Sequence, residues 1–166
     1  MQVVDLILTL PNNPAAKPWK QRDLSRLNWL VVHHAASMED TTPEALNRAH
    51  HARGWYRLSY HYTIAPDGTI SKINPATSIT WTVANGNSGT LSVCLVGNRE
   101  VSPCPPAQWE SLVWLCKHLR DSYPTIQRLL GHKEAPTTPA QATACPGRHV
   151  DLKALRAAVE WREEEV

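Results

Sequence analysis

The sequence predicts an α/β fold: a single domain in which a central mixed β-sheet is flanked by α-helices. Three observations carry that expectation. Two short apolar runs rich in β-branched residues, 29–34 and 91–96, have the uniform hydrophobicity of strands buried on both faces. Two further segments, 42–53 and 105–123, open with helix-start signals, and the second repeats apolar residues at helical spacing. A Pro66-Asp67-Gly68 turn joins two strand-like stretches into a hairpin, so the sheet cannot be wholly parallel. At 166 residues the chain suits one domain that buries a core without disulfide staples.

Each element has a local reason. Met1 to Leu10 is an apolar run that reads as a strand or docking arm, and residues 11–28, Pro-rich and then basic, read as an irregular arm. Residues 1–28 are therefore taken as an N-terminal arm packed on a domain formed by 29–166. Trp29 to His34 is the first buried strand. Thr42 caps a helix with Pro43 at its first turn and Glu44 near its positive end, running to Arg53 and stopping at Gly54. Ser59 to Ala65 and Thr69 to Ile73 form the hairpin. Asn85-Gly86-Asn87-Ser88-Gly89 is a loop before the strand Leu91 to Val96. Pro105-Pro106 starts the long helix to about Tyr123, with Trp109, Leu112, Val113, Leu115, Cys116 and Leu119 on its apolar side. Ile126 to Leu130 leads into Gly131-His132, residues 135–144 form a loop, and Asp151 caps a last helix over Leu152 to Glu164.

Composition excludes several classes. With 42% hydrophobic and 19% charged residues the chain is no disordered tail. A formal net charge of +2 argues against a dedicated nucleic-acid binder. No stretch approaches the roughly 20 apolar residues that cross a bilayer. The apolar start lacks a basic leader and is followed by Pro11-Asn12-Asn13-Pro14 rather than a small-residue cleavage site, so no signal peptide is expected. Cys94, Cys104, Cys116 and Cys145 form no CxxC pair, which points to reduced thiols in a cytoplasm, with a Cys104–Cys116 bridge left open. The abundance of Trp and absence of Phe have no evident physical cause.

The candidate chemistry lies in histidines and one cysteine. A strand sends alternate side chains to opposite faces, so of His33 and His34 one should enter a cleft at the end of the sheet and the other should pack behind it. His132 follows Gly131, and Cys145 precedes Pro146-Gly147. Zinc takes imidazole nitrogen and thiolate sulfur, and a catalytic zinc site keeps three protein ligands and one open position. His33, His132 and Cys145 would make such a set, although ligands this far apart in sequence are not selected by spacing alone.

Four stretches in order bring a resemblance. These are 30–36 (Leu-Val-Val-His-His-Ala-Ala); 50–55 with 58–64 and Asp67-Gly68; 91–97 (Leu-Ser-Val-Cys-Leu-Val-Gly); and Gly131-His132 with 143–147 (Thr-Ala-Cys-Pro-Gly). Together they resemble the type 2 N-acetylmuramoyl-L-alanine amidases, a family shared by phage lysozymes and peptidoglycan-recognition proteins. The resemblance implies a single zinc ion on His33, His132 and Cys145, with His34 outside the ligand set. It implies that Tyr60 stands beside the reacting water and that Thr143 occupies a position that is lysine in some phage members. His50, Trp81 and Asn87 fall at substrate-groove positions. Three departures stand out: Thr82 follows Trp81 where the family often has histidine, Ser59 replaces a glycine, and twelve residues separate His132 from Cys145. The implied activity is hydrolysis of the amide between muramic acid and L-alanine in bacterial peptidoglycan, in the manner of a phage endolysin. Such a chain is expected to act as a monomer, held in the host cytoplasm until its release to the wall or periplasm. A peptidoglycan-binding protein without activity, or a cytoplasmic muropeptide-recycling amidase, are the alternatives; the presence of both Cys145 and Tyr60 favours catalysis over binding alone. Trp19, in the basic arm, is a possible wall contact, whereas His61, Tyr62 and the remaining tryptophans read as structural.

Overall fold

The structure is a computed structural model that describes residues 1–162. Its strands are β1 (Val3–Asp5), β2 (Lys20–Gln21), β3 (Trp29–His34), β4 (Tyr62–Ile64), β5 (Ile70–Lys72), β6 (Ser78–Ile79), β7 (Thr90–Leu95) and β8 (Arg128–Gly131). The helices are α1 (Pro43–Ala52), α2 (Pro106–Ser122) and α3 (Leu152–Val159). Six strands form one sheet in the order β1-β5-β4-β7-β3-β8, parallel except for the β4–β5 hairpin, and β2 and β6 form a separate antiparallel pair. The α/β architecture is thus the one expected, with the apolar runs as neighbours inside the sheet. Every residue of β7 is buried, as a strand covered on both faces requires.

One face of the sheet carries the main core. Leu30 and Val32 of β3 and Leu91, Val93 and Leu95 of β7 pack with Leu112, Leu115, Cys116 and Leu119 of α2 and Leu152, Leu155 and Val159 of α3. Residues of opposite parity face the other way, where Val31 packs with Val83, Leu130 and Ala135. A further cluster joins Leu46 of α1 to Leu10, Leu58, Ile73 and Val96. The alternation in β3 sends Trp29, Val31 and His33 to this second face, which is what delivers His33 to a cleft.

The helix signals behave as their chemistry requires. Thr42 Oγ1 accepts from Ala45 N at 3.2 Å, and α1 gives way to Gly54 at φ +78°. Asp151 caps α3 through Ala154 N at 2.9 Å. Helix α3 ends at Val159, short of the expected Glu164. Glu160 turns left-handed, and Trp161 docks its indole N–H on the Gln127 carbonyl at 3.1 Å, which pulls the chain off the helix axis. The remainder of that expected helix, Glu163 and Glu164, lies outside the described residues.

Two other expectations are corrected. The strand expected from Ser59 begins only at Tyr62, because side chains capture the backbone before it. Asn47 Oδ1 accepts from Leu58 N, His50 Nδ1 accepts from Ser59 N, and Asn74 Nδ2 donates to the carbonyls of Leu58 and Tyr60. Trp19 is no free wall contact: it is 6% exposed and its indole N–H donates to Asn74 Oδ1 at 3.1 Å. Near the N-terminus, β1 is the outer strand of the main sheet. The turn after it is held by the buried Arg57 guanidinium, which donates to the carbonyls of Leu6, Ile7 and Leu10. All four cysteines are free thiols, so the Cys104–Cys116 bridge does not form. Among the described residues no helix is long and apolar enough to cross a membrane.

Candidate active site

Three elements converge at the C-terminal ends of β3 and β8. His33 is the fifth residue of β3 and is 2% exposed. His132 begins a 3-10 turn directly after β8. That turn is anchored by Glu134, whose carboxylate accepts from Gly131 N at 2.9 Å and from both Arg156 terminal nitrogens at 3.0 and 3.1 Å. Cys145 lies on the following loop, tied down by Lys133 N donating to its carbonyl at 2.9 Å. Its Sγ accepts from the His34 backbone N–H at 3.4 Å. His34 itself faces away, its Nδ1 accepting from Arg99 N at 3.0 Å. The ambiguity of the histidine pair is thereby resolved by alternation along β3.

Ligand atoms of His33, His132 and Cys145 all lie within 4.8 Å of one another. His33 Nδ1 is 3.7 Å from Cys145 Sγ. Two donors on one tetrahedral zinc, at about 2.3 Å for sulfur and about 2.0–2.1 Å for nitrogen, would stand roughly 3.6 Å apart. His33 Nε2 is buried with no hydrogen-bond partner, an expensive state for an imidazole whose other nitrogen meets only sulfur. Burial holds the pKa of His33 well below its ordinary value, with His132 as the next cause, and burial lowers that of His132. Both imidazoles are therefore neutral and carry the lone pairs a metal needs. Burial pushes the Cys145 thiol up to about 11; a bound cation reverses that by coordinating the thiolate. The residues present fit a zinc ion.

Tyr60 and His50 stand next to this cluster. The Tyr60 ring centre is 5.4 Å from that of His33 and 5.9 Å from that of His50. Burial, then the Cys94 and Cys145 thiols, raise the Tyr60 pKa well above 10, so it remains a protonated hydroxyl. His50 is nearly buried and accepts from Ser59 N at 3.0 Å through Nδ1. That bond makes Nε2 the protonated nitrogen. Burial, with Arg53 as second cause, lowers the His50 pKa to about 4.

Residues 23–148 match the family model described as N-acetylmuramoyl-L-alanine amidase. The chain belongs to that family. An endolysin of Klebsiella phage KP32 is 29% identical over 131 residues, 75% of this chain and 82% of its own. The solved Ph2119 endolysin, from a bacteriophage of Thermus scotoductus MAT2119, superposes with a TM-score of 0.79 at 26% identity, covering 95% of this chain and 99% of that one. The amidase LysC from Clostridium intestinale URNW shares the fold at a TM-score of 0.78 and 24% identity, over 98% and 99% of the two chains.

The other expected site residues of this amidase are placed as follows. Trp81 is 51% exposed and stands edge-on to Trp19 at 5.3 Å and Trp55 at 6.1 Å, while Trp55 in turn meets His50 at 4.7 Å. An unbroken aromatic row therefore runs from His132 through His33, Tyr60, His50 and Trp55 to Trp81. Asn87 joins the site only through its loop: its Oδ1 accepts from Thr82 N and Val83 N, both at 2.8 Å, which sets the chain that carries Trp81. Thr143 is half-buried and its Oγ1 accepts from Cys145 N at 3.1 Å, leaving the hydroxyl proton free to donate elsewhere. His61, as read, is structural and fully buried.

Cys94, which by sequence is one residue of the apolar strand Leu91 to Val96, also borders the site. It pairs in register with His33 across β3 and β7, and its thiol meets the Tyr60 hydroxyl. The signal lies in register, which a single strand's sequence does not contain.

Proposed function

We propose that this amidase hydrolyses the bond between the lactyl carbonyl of N-acetylmuramic acid and the nitrogen of L-alanine, as a phage-type endolysin. In this reading His33, His132 and Cys145 hold a zinc ion. The observation that carries it is the convergence of two neutral imidazoles and one thiol, with ligand atoms all within 4.8 Å of one another and His33 Nδ1 3.7 Å from Cys145 Sγ. The relatives named endolysins support the biological role.

A zinc ion held there supplies Lewis acidity toward the amide carbonyl and brings the pKa of its water to about 7. The protein's own groups do the rest. Tyr60, kept protonated by burial, is a fixed hydroxyl donor for the oxygen that becomes negative on attack, and such a donor contributes on the order of 3 kcal/mol of barrier. Thr143 adds a second, weaker hydroxyl, without the charge a lysine would bring. His50, neutral with Nε2–H available, can donate to a stem-peptide carbonyl, and the exposed Trp81 offers an indole face to the ligand. The His34 N–H directed at Cys145 Sγ steadies the thiolate.

Mass spectrometry of digested sacculi tests the reaction. Soluble stem peptides with a free L-alanine amine are the expected product; new reducing sugar ends instead would make this chain a glycosidase and refute the proposal.

A further inference from the structure

At the opposite end of β3 lies a polar cavity of about 370 Å³. Trp29 opens β3 and shares the face of Val31 and His33, so the cavity and the metal-binding residues open along one side of the sheet, four residues or about 13 Å apart. Around the half-buried Trp29 stand Arg26, Asn28, Asn85 and Ser88. The side chains of these four have no hydrogen-bond or ion-pair partner among the described residues, while the backbone of Asn28 is paired on both sides, from Asn28 N to Gly89 O and from Gln127 N to Asn28 O.

The walls are pre-formed. Buried Arg22 donates to the carbonyls of Asn87 and Ser88 at 3.0 and 3.2 Å, fixing the loop from below. Gly86 approaches the indole so closely that a Cβ there would lie 2.7 Å from Trp29 Cζ3. Asn85 holds a left-handed φ of +59°, a conformation asparagine tolerates better than most residues. Arg26, Asn28, Asn85 and Ser88 are exposed and ring the half-buried indole on this pinned frame, so a polar ligand can take their side chains without breaking a protein contact.

Its chemistry matches a sugar. A pyranose ring offers an apolar face to an indole and hydroxyl and acetamido groups to amides and a serine. The guanidinium of Arg26 adds a bidentate partner for a carboxylate. Hydrolysis of the lactyl–alanine amide creates that carboxylate: water's oxygen joins the carbonyl carbon, the C–N bond breaks, and the amine leaves protonated on the peptide. We propose that this cavity binds an N-acetylhexosamine of the stripped glycan strand, with Arg26 on the newly freed lactyl carboxylate. The inference rests on the proposed reaction and deepens it. The enzyme holds the strand at a sugar it has already stripped and so stays beside stems still uncut.

The test is an NMR titration of the intact, zinc-supplied chain with N-acetylmuramic acid and, in parallel, N-acetylglucosamine, which lacks the carboxylate. N-Acetylmuramic acid should shift the Trp29 indole N–H and the side-chain amides of Asn28 and Asn85. Arg26→Gln should weaken it about tenfold, as loss of one charge-assisted hydrogen bond does, while N-acetylglucosamine binds less well and ignores the substitution. No shift at these groups up to about 50 mM sugar, shifts confined to Tyr60 and the histidines, or an unaltered response in Arg26→Gln overturns the proposal. The titration involves no turnover, so it fails or succeeds separately from the fragment analysis that tests the amidase reaction.

Discussion

Acidification from pH 7 to pH 5 should destabilise this protein by about 2 kcal/mol through His61 alone. The imidazole is fully buried. Ser92 N donates to Nδ1 at 3.1 Å, so Nε2 carries the proton and donates to the Ser78 carbonyl at 2.9 Å. The Arg22 guanidinium sits 3.1 Å from Nε2 and opposes any second positive charge. Burial first, and Arg22 next, bring the pKa from 6.5 to about 3. The folded pKa is depressed, so between those values the unfolded chain binds the proton and the folded one does not. The contribution is fully present above pH 6.5 and is lost as pH falls toward 3. For one such site the loss is about 2 kcal/mol at pH 5 and about 3 kcal/mol at pH 4. His50, lowered to about 4, adds to the same trend, so the effect of His61 is isolated by difference. Urea unfolding, followed by tryptophan fluorescence at pH 7, 6 and 5 in chelator, is compared for the wild type and His61→Gln. The variant should be weaker at pH 7 and lose about 2 kcal/mol less between pH 7 and 5. As a second readout, the His61 Cε1 proton should not titrate over that range. Equal losses in both proteins, or a titrating Cε1 proton near pH 6.5, would refute the reasoning.

Two further outcomes follow from the structure. Tyr60→Phe should lower kcat on peptidoglycan about 10²–10³-fold while zinc content stays the same; retention of more than about a third of the activity would remove Tyr60 from the reaction. Arg57→Met keeps most of the side-chain volume but strands the carbonyls of Ile7 and Leu10, while that of Leu6 keeps its bonds from Thr9 N and Leu10 N. It should lower unfolding free energy by about 2–4 kcal/mol in urea titration, and a change below about 0.5 kcal/mol would show that water replaces the guanidinium there.

Much of this fold is legible in local sequence because its signals are local. The apolar run Trp29–His34 becomes an inner strand, and Thr42 and Asp151 cap helices with their own oxygen atoms. What local sequence does not hold are the partners brought from afar. Trp19 looked free in a basic arm, yet Asn74, 55 residues away, accepts its N–H. Ser59 to His61 looked extended, but Asn47, His50 and Asn74 had already taken neighbouring backbone groups. Arg22 belongs to the basic arm by sequence, yet it is buried and its guanidinium is held by the carbonyls of Ala76, Asn87 and Ser88, 54 to 66 residues away. In the candidate site, alternation in β3 alone said that one histidine of the pair would enter the cleft. The identity of its companions came from the family resemblance, since His132 and Cys145 meet His33 only after β8 and the 135–144 loop are in place.

Zinc-edge X-ray absorption on the purified protein, with metal content measured in parallel for Cys145→Ser, tests the core of this account. The prediction is one zinc per chain with a single sulfur neighbour at about 2.3 Å and nitrogen neighbours at about 2.0–2.1 Å, and loss of that zinc from the variant together with wall lysis. A metal shell without sulfur, or a Cys145→Ser protein that keeps its zinc and still lyses the wall, would contradict it.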